Sequence, residues 1–314
     1  MAAARRLLIP ILQIIRNKEL GIRTIQISVF LIPLFLRAFA PPREKILEQC
    51  KMTVNPSPKY PIVLVHGIIA HDRPGTIKYW GRIPETLRET GAKVFFGNTD
   101  SWGDFESNAE ILKTTIDNIL DETKSEKVNI IAHSKGGLDA RYLIWKYDYG
   151  DKVASLTTIS TPHHGAELAD FIFKQKILHT KIAKKALLIF GKLYGDKNPD
   201  LFTLNYQLTT EYMKKFNNDV LMDNRVHYQN MYTVMRNPFD DLTYFFPSLY
   251  IKKISGANDG FVSEFSARWD NNGIKIDGRI SHAEILDMKM RKIAGINIPD
   301  IYKEIVNGLS ERGF

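Results

Sequence analysis

The sequence predicts an α/β fold with a mostly parallel central sheet, helices on both faces and an inserted helical cap. Three observations predict it. Short apolar runs of strand length recur along residues 61–160. Amphipathic helical patterns separate them, which is the alternation of a doubly wound sheet. A strongly helical stretch at about 166–225 then breaks that alternation.

Taken in order, Pro61-Ile62-Val63-Leu64-Val65 is continuously apolar, as a parallel strand covered on both faces must be. A helix-like segment, Ile83 to Glu89, separates it from a second strand at Lys93-Val94-Phe95-Phe96. Asn108 to Thr123 carries Ile111, Leu112, Ile116, Ile119 and Leu120 at helical spacing. Val128 to Ala132 and Val153 to Ser160 supply two more strands, and later ones are expected at Val226 to Met235 and Ser248 to Ser255. Inside the insertion, Ala166 to Tyr194 and Leu208 to Asn217 read as helices. Phe171, Leu178, Ile182, Ile189 and Leu193 recur at helical spacing there, among Lys174, Lys176, Lys181, Lys184, Lys185 and Lys192. Such a helix is either an ordinary amphipathic one with a solvated lysine face, or a lid whose apolar side meets lipid.

With 314 residues, 44% hydrophobic and 25% charged, the chain has ample core for a large globular domain. Its net charge of +8 favours anionic surfaces. Zinc-finger spacing and Arg-Gly repeats are missing from the sequence, so a membrane or lipid–water interface is the expected partner and nucleic acid is not. The single cysteine, Cys50, excludes an internal disulfide and any multi-cysteine metal centre. Residues 1–55 differ from the rest. Leu7 to Ile15 is apolar but for Gln13, and Ile25 to Leu36 except for Gln26 and Ser28, with Arg5, Arg6, Arg16, Lys18 and Arg23 before and between them. The second run is shorter than the roughly 20 residues that cross a bilayer. It resembles an export signal ending in Ala38-Phe39-Ala40, although Pro41 and Pro42 follow at once. An uncleaved anchor, an export signal, surface-lying helices and a helix packed on the domain are the open readings; membrane association is the expectation carried forward. A folded domain is expected from 56 to 314, beginning at the turn-rich Asn55-Pro56-Ser57-Pro58.

The strand Val128 to Ala132 ends in Ala132-His133-Ser134-Lys135-Gly136-Gly137, and a helical pattern starts immediately. A sharp strand-to-helix turn pushes a serine hydroxyl out at the end of a sheet and needs small residues two positions either side. Ala132 stands where glycine is commoner. Alone the pattern is weak, because a strand–turn–helix needs no catalysis. His66-Gly67-Ile68 closes the first strand, where the glycine permits a tight turn that aims the Ile68 amide at the serine. With the Lys135 amide it would form the donor pair for a developing oxyanion. Asp259 lies in Ser255-Gly256-Ala257-Asn258-Asp259-Gly260, placed either to orient an imidazole or simply to make an Asx-turn. Of the eight histidines only His282 follows it, in a segment that then reads as helix. The order Ser134, Asp259, His282 is that of a Ser-Asp-His triad. His66, Gly67, His133, His163 and His164 are read as substrate-cleft residues, while His71, His179 and His227 have no partner pattern. Asp100, Asp240 and Asp241 are weaker choices for the acid.

These residues resemble the bacterial triacylglycerol lipases of the Pseudomonas and Burkholderia type, in the α/β-hydrolase superfamily. The likeness rests on Val65-His66-Gly67, Ala132 to Gly137, Thr161-Pro162-His163-His164-Gly165, Asn258 to Ser263 and the segment from His282, in the family's order. It implies hydrolysis of acyl-lipid esters, with Ser134 as nucleophile, Asp259 as triad acid and His282 as base, and no organic cofactor. A phospholipase or acyltransferase using the same triad at a membrane surface is the rival, and a catalytically silent membrane-binding module a more distant one. The family's larger members also carry a disulfide, impossible here, and a calcium ion near the catalytic histidine. At the two positions two and six residues after that histidine, this chain has Glu284 and Met288 instead of Asp and Gln. A thioether is an unsuitable ligand for a hard, oxygen-seeking ion. Glu284 could still ligate calcium, but the pair argues against it; no other metal is expected, and the sequence leaves the oligomeric state open.

Overall fold

A computed structural model describes residues 57–69, 78–270 and 272–314. The expectations for residues 1–55, including the anchor, the export signal and Cys50, and that for His71 fall outside these residues.

The sheet has six strands, all parallel, in the order β2-β1-β3-β4-β5-β6. They are β1 (Ile62–Val65), β2 (Val94–Phe96), β3 (Val128–His133), β4 (Val153–Ile159), β5 (His227–Thr233) and β6 (Ile274–Ile276). The helices among the first four are α1 (Ile83–Glu89), α2 (Phe105–Thr123) and α3 (Lys135–Lys146). Successive residues of a strand point to opposite faces, and β1 shows it. Ile62 and Leu64 enter one core with Ile83 and Leu87 of α1 and with Tyr302, while Val63 and Val65 enter another with Ile116 of α2 and Leu143 of α3. Both cores are apolar, which is why the strand has no polar position. Leu64 is fully buried, so its truncation to alanine costs about 2–5 kcal/mol.

Beyond β4 come α4 (Glu167–Phe173), α5 (Lys181–Tyr194), α6 (Leu201–Gln207), α7 (Thr210–Asp219), α8 (Phe245–Ser255), the one-turn α9 (Glu264–Ala267) and α10 (Ile298–Glu311). The insertion is helical as expected, but Ala166 to Tyr194 is not one helix. A 3₁₀ turn at Lys176–His179 splits it; the His179 ring bonds back to the Phe173 carbonyl, and the Thr180 hydroxyl caps α5 by accepting from the Ala183 amide. The strand expected at Ser248 to Ser255 is instead the helix α8. Its buried Ser248 and Ile251 are three apart, and short apolar runs do not separate helix from strand by pattern alone. Nor does a helix follow His282: one 3₁₀ turn, Glu284–Leu286, ends at Asp287 with φ 55°.

Chain order along the sheet reverses between β1 and β3, since β2 lies on one side of β1 and every later strand on the other. In open α/β sheets the crevice outside the carboxyl ends of the strands at such a reversal is where ligands bind. His66-Gly67-Ile68 leaves β1 and Ser134 leaves β3 at this point.

Candidate active site

Ser134 occupies the turn between β3 and α3 with φ 55° and ψ −131°, a conformation that non-glycine residues adopt only where surrounding structure enforces it. The enforcement is visible. The Ser134 amide donates to the Ile159 carbonyl at 2.9 Å, and its carbonyl accepts from the Thr161 hydroxyl at 2.8 Å. A Cβ on Gly136 would lie 2.5 Å from the His66 carbonyl oxygen, and one on Gly67 would lie 2.8 Å from the Ser134 Cβ. Both glycines are therefore required by the close approach of the two turns.

Three side chains distant in sequence meet here. Ser134 Oγ is 3.0 Å from His282 Nε2, and His282 Nδ1 is 2.8 Å from Asp259 Oδ2. A carboxylate can only accept, so Nδ1 carries the proton and Nε2 is left to accept from the serine hydroxyl. All three are buried. The other Asp259 oxygen accepts from the amides of Phe261 and Val262 at 3.0 and 2.8 Å, and the Asp259 carbonyl accepts from the His282 amide at 2.8 Å. The acid is thus fixed by its own loop and in turn fixes the histidine's backbone.

Ile68 lines the same cavity as Ser134 and His282. Lys135 supplies the first amide of α3, which has no acceptor within its own helix and lies at the positive end of the helix dipole. Its side chain turns away into the core, where Nζ donates to Asp139 Oδ2 at 2.7 Å and to the Asp100 carbonyl at 3.2 Å. Burial raises the Asp139 carboxyl above its ordinary range against the pull of that ammonium.

The five expected cleft residues separate. His133 lines the cavity and is buried; burial, then the neighbouring His282, hold its imidazole well below the ordinary value. It is neutral, and its bonds define a relay of position. The Gly67 amide donates to Tyr79 Oη, the Tyr79 hydroxyl meets His133 Nδ1 at 2.8 Å, and His133 Nε2 donates to the His282 carbonyl at 3.1 Å. His66 and Gly67 sit behind the cavity rather than on its wall; His66 bonds the Gly67 and Thr99 carbonyls. His163 and His164 are away from it. The His163 ring is fully buried, stacks on Trp269 at 4.6 Å and bonds Thr158 and Arg141, while His164 stacks on Phe265. Two adjacent histidines at a strand end looked like a cleft wall because sequence does not tell inward from outward at a turn. Asp240 and Asp241 take no part in the relay; Asp241 accepts from the Ser281 hydroxyl at 2.8 Å, one residue from His282. Asp100 accepts from the amides of Lys197 and Asn198. Tyr79 and Tyr244, which also line the cavity, carry no motif in the sequence, whereas Phe261 belongs to the Asn258 to Ser263 segment.

The cavity over Ser134 measures about 210 Å³. A second, of about 270 Å³ and almost wholly apolar, lies under the helical insertion between Trp102, Leu178, Leu187, Phe202 and Leu208. Ile68 and Phe261 line both, so they form the junction between them. Above, α5 turns Ile182 and Leu193 outward, each more than four-fifths exposed, alongside exposed Lys181, Lys184, Lys185 and Lys192. Phe239, Leu242 and Phe246 add an exposed apolar edge beside Tyr244. No helix among the described residues is long and apolar enough to cross a membrane.

The chain is similar to known proteins. Over 81% of the chain it is 29% identical to a triacylglycerol lipase of Pseudomonas fragi, covering 97% of that relative. Over 144 residues it is 38% identical to a triacylglycerol lipase of Burkholderia plantarii, covering 44% of this chain and 39% of the relative. The solved structure of a mature Bacillus licheniformis lipase superposes with a TM-score of 0.57 at 24% identity, over 80% of this chain and 92% of that one. The family model described as palmitoyl protein thioesterase matches residues 61–239, more than half of the chain, a span that holds Ser134 but stops before Asp259 and His282. The chain belongs to that family, and its fold is the α/β-hydrolase fold of bacterial lipases.

Proposed function

We propose that this carboxylic ester hydrolase cleaves esters of acyl lipids through a Ser134–His282–Asp259 relay and an acyl-enzyme. The observation that carries the reading is the unbroken hydrogen-bonded line Oγ–Nε2, Nδ1–Oδ2 at 3.0 and 2.8 Å. As Ser134 Oγ attacks the carbonyl carbon, His282 Nε2 takes its proton and Asp259 stabilises the resulting imidazolium. The amides of Ile68 and Lys135 receive the oxyanion. The imidazolium returns the proton to the departing alcohol, and a water molecule activated by the same nitrogen then releases the acid. His133 and Tyr79 act by position, tying the oxyanion turn to the histidine's backbone.

The apolar cavity beyond Ile68 and Phe261 suits an acyl chain whose carbonyl lies at Ser134. The outward apolar face of α5 and its lysines suit an anionic lipid surface, and membrane association through the N-terminal segment fits the same setting. Neither role asks for an organic cofactor. Acyl thioesters are a second substrate class, favoured by the description of the family model.

Rates on p-nitrophenyl esters of graded chain length, an acyl thioester and emulsified triacylglycerol test the substrate class. Free fatty acid as the main product is expected in water. If an added alcohol or lysophospholipid acceptor captures most of the acyl group instead, the protein is an acyltransferase. Hydrolysis confined to glycerophospholipid would make it a phospholipase.

A further inference from the structure

The resemblance implies a calcium ion near His282, and the two carboxylates that converge beside that loop are Asp241 and Glu284. They do not form a calcium site. Lys289 Nζ lies 2.8 Å from Glu284 Oε1 and 3.4 Å from Asp241 Oδ2, between the two acids. Met288 turns toward the substrate cavity instead of the carboxylates. Among the described residues no group of three or more His, Cys, Asp or Glu is placed to hold a metal.

We infer that Lys289 is a positioning residue whose ammonium, by bridging Asp241 and Glu284, holds the loop that presents His282, in the place where similar lipases use a divalent cation. The bridge spans two segments. Asp241 belongs to the connection after β5 and Glu284 to the turn after His282. Between them stands Ser281, whose hydroxyl donates to Asp241 Oδ2 and whose amide donates to Glu284 Oε2 at 3.3 Å. His282 is the next residue. Both acids are nearly buried, so without a cation they would be like charges facing each other in a poorly solvated place. Burial alone would raise the Asp241 carboxyl; the Ser281 and Thr243 bonds and the Lys289 charge outweigh it and hold it below the ordinary value. Burial alone would lower the Lys289 ammonium, and Glu284 and Asp241 together raise it.

The backbone explains how a residue five positions on returns to Glu284. Asp287 has φ 55°, which reverses the chain after the 3₁₀ turn. Its buried carboxylate is clamped by Arg82, with Nε and Nη2 donating at 2.7 Å each and the Arg82 amide at 2.9 Å. The segment after His282 is therefore pinned to the start of α1 through Asp287, while Ser281 on one side of His282 and Lys289, through Glu284, on the other tie the loop to Asp241 of the β5 connection.

The inference rests on the proposed relay, so its test uses one reagent that reports on the relay and one assay that reports on positioning. Lys289→Met, Lys289→Gln and Lys289→Arg would be compared with wild type on a soluble short-chain p-nitrophenyl ester. The side chain is two-fifths exposed, and the glutamine variant, neutral but polar, serves should the methionine variant misfold. Expected is a fall in kcat of about tenfold for Met and Gln with KM little changed, and recovery to within about threefold of wild type for Arg, because small displacements of a catalytic base cost rate and not binding. Retention of kcat by Met or Gln would overturn the inference. So would a rise in the wild-type kcat or Tm on adding calcium, or a fall with EDTA, since either would put a metal where the ammonium is assigned. Labelling of wild type by an organophosphonate at Ser134 is expected throughout. Its absence would overturn the relay itself, whereas normal labelling with an insensitive Lys289 would overturn this inference alone.

Discussion

The rim of the sheet and the helical insertion above it are built on opposite principles. At the rim the polar groups of the relay are buried and partnered: Ser134, His282 and Asp259 bond one another, and His133, Tyr79 and Gly67 bond them in place. On α5 the large apolar side chains Ile182 and Leu193 face outward, and among its described residues none is buried apart from Gly191. Burying an unpartnered polar group costs a few kcal/mol, so a buried relay must be completely satisfied and is stiff for that reason. Single exposed apolar side chains are ordinary, but a contiguous apolar patch marks a surface that meets a partner or a lipid phase. Under the proposed function the difference separates the tasks, with chemistry at the strand ends and contact with a lipid phase on a segment whose large apolar side chains are exposed.

Mutations can break that contrast at either end. The largest expected effect is at the rim, where Ser134→Ala should lower turnover by about 10⁴- to 10⁶-fold with folding intact by circular dichroism. A smaller residual loss would mean that another group does the work. Behind the oxyanion turn, Lys135→Met leaves the Asp139 carboxylate buried without its ammonium, and denaturant unfolding should show a loss of about 3–5 kcal/mol. The double variant Lys135→Met/Asp139→Leu should recover most of it, and a double variant as unstable as the single one would refute the pairing. On α5, Ile182→Ser with Leu193→Ser should depress activity on emulsified lipid severalfold while leaving soluble short-chain esters within about twofold, the sign of lost surface binding with chemistry intact. Equal losses on both substrates would instead make α5 part of the catalytic fold.

What the sequence made legible follows from which features are local. Ile62–Val65, Val128–His133 and Val153–Ile159 were readable because a strand covered on both faces must be apolar throughout. The Ser134 turn was readable because its sterics demand small neighbours. β6 was missed: it is three residues long with only Ile276 buried, too short for any period to emerge. The part of α8 from Ser248 to Ser255 reads as a strand in sequence because eight residues of mixed apolar and lysine character fit both periods. His163 and His164 were placed in the cleft, yet one is stacked on Trp269 beneath Arg141, whose guanidinium burial lowers to about 9, and the other on Phe265. Tyr79, Asp241 and Lys289 act through contacts with residues far along the chain, and no spacing rule reaches that distance.

The most direct test of the central claim is covalent. Wild type treated with an organophosphonate ester and digested for mass spectrometry should carry the adduct on the peptide containing Ser134, with labelling lost in Ser134→Ala and strongly slowed in His282→Ala. An unlabelled wild type, or an adduct on any other residue, would contradict the account.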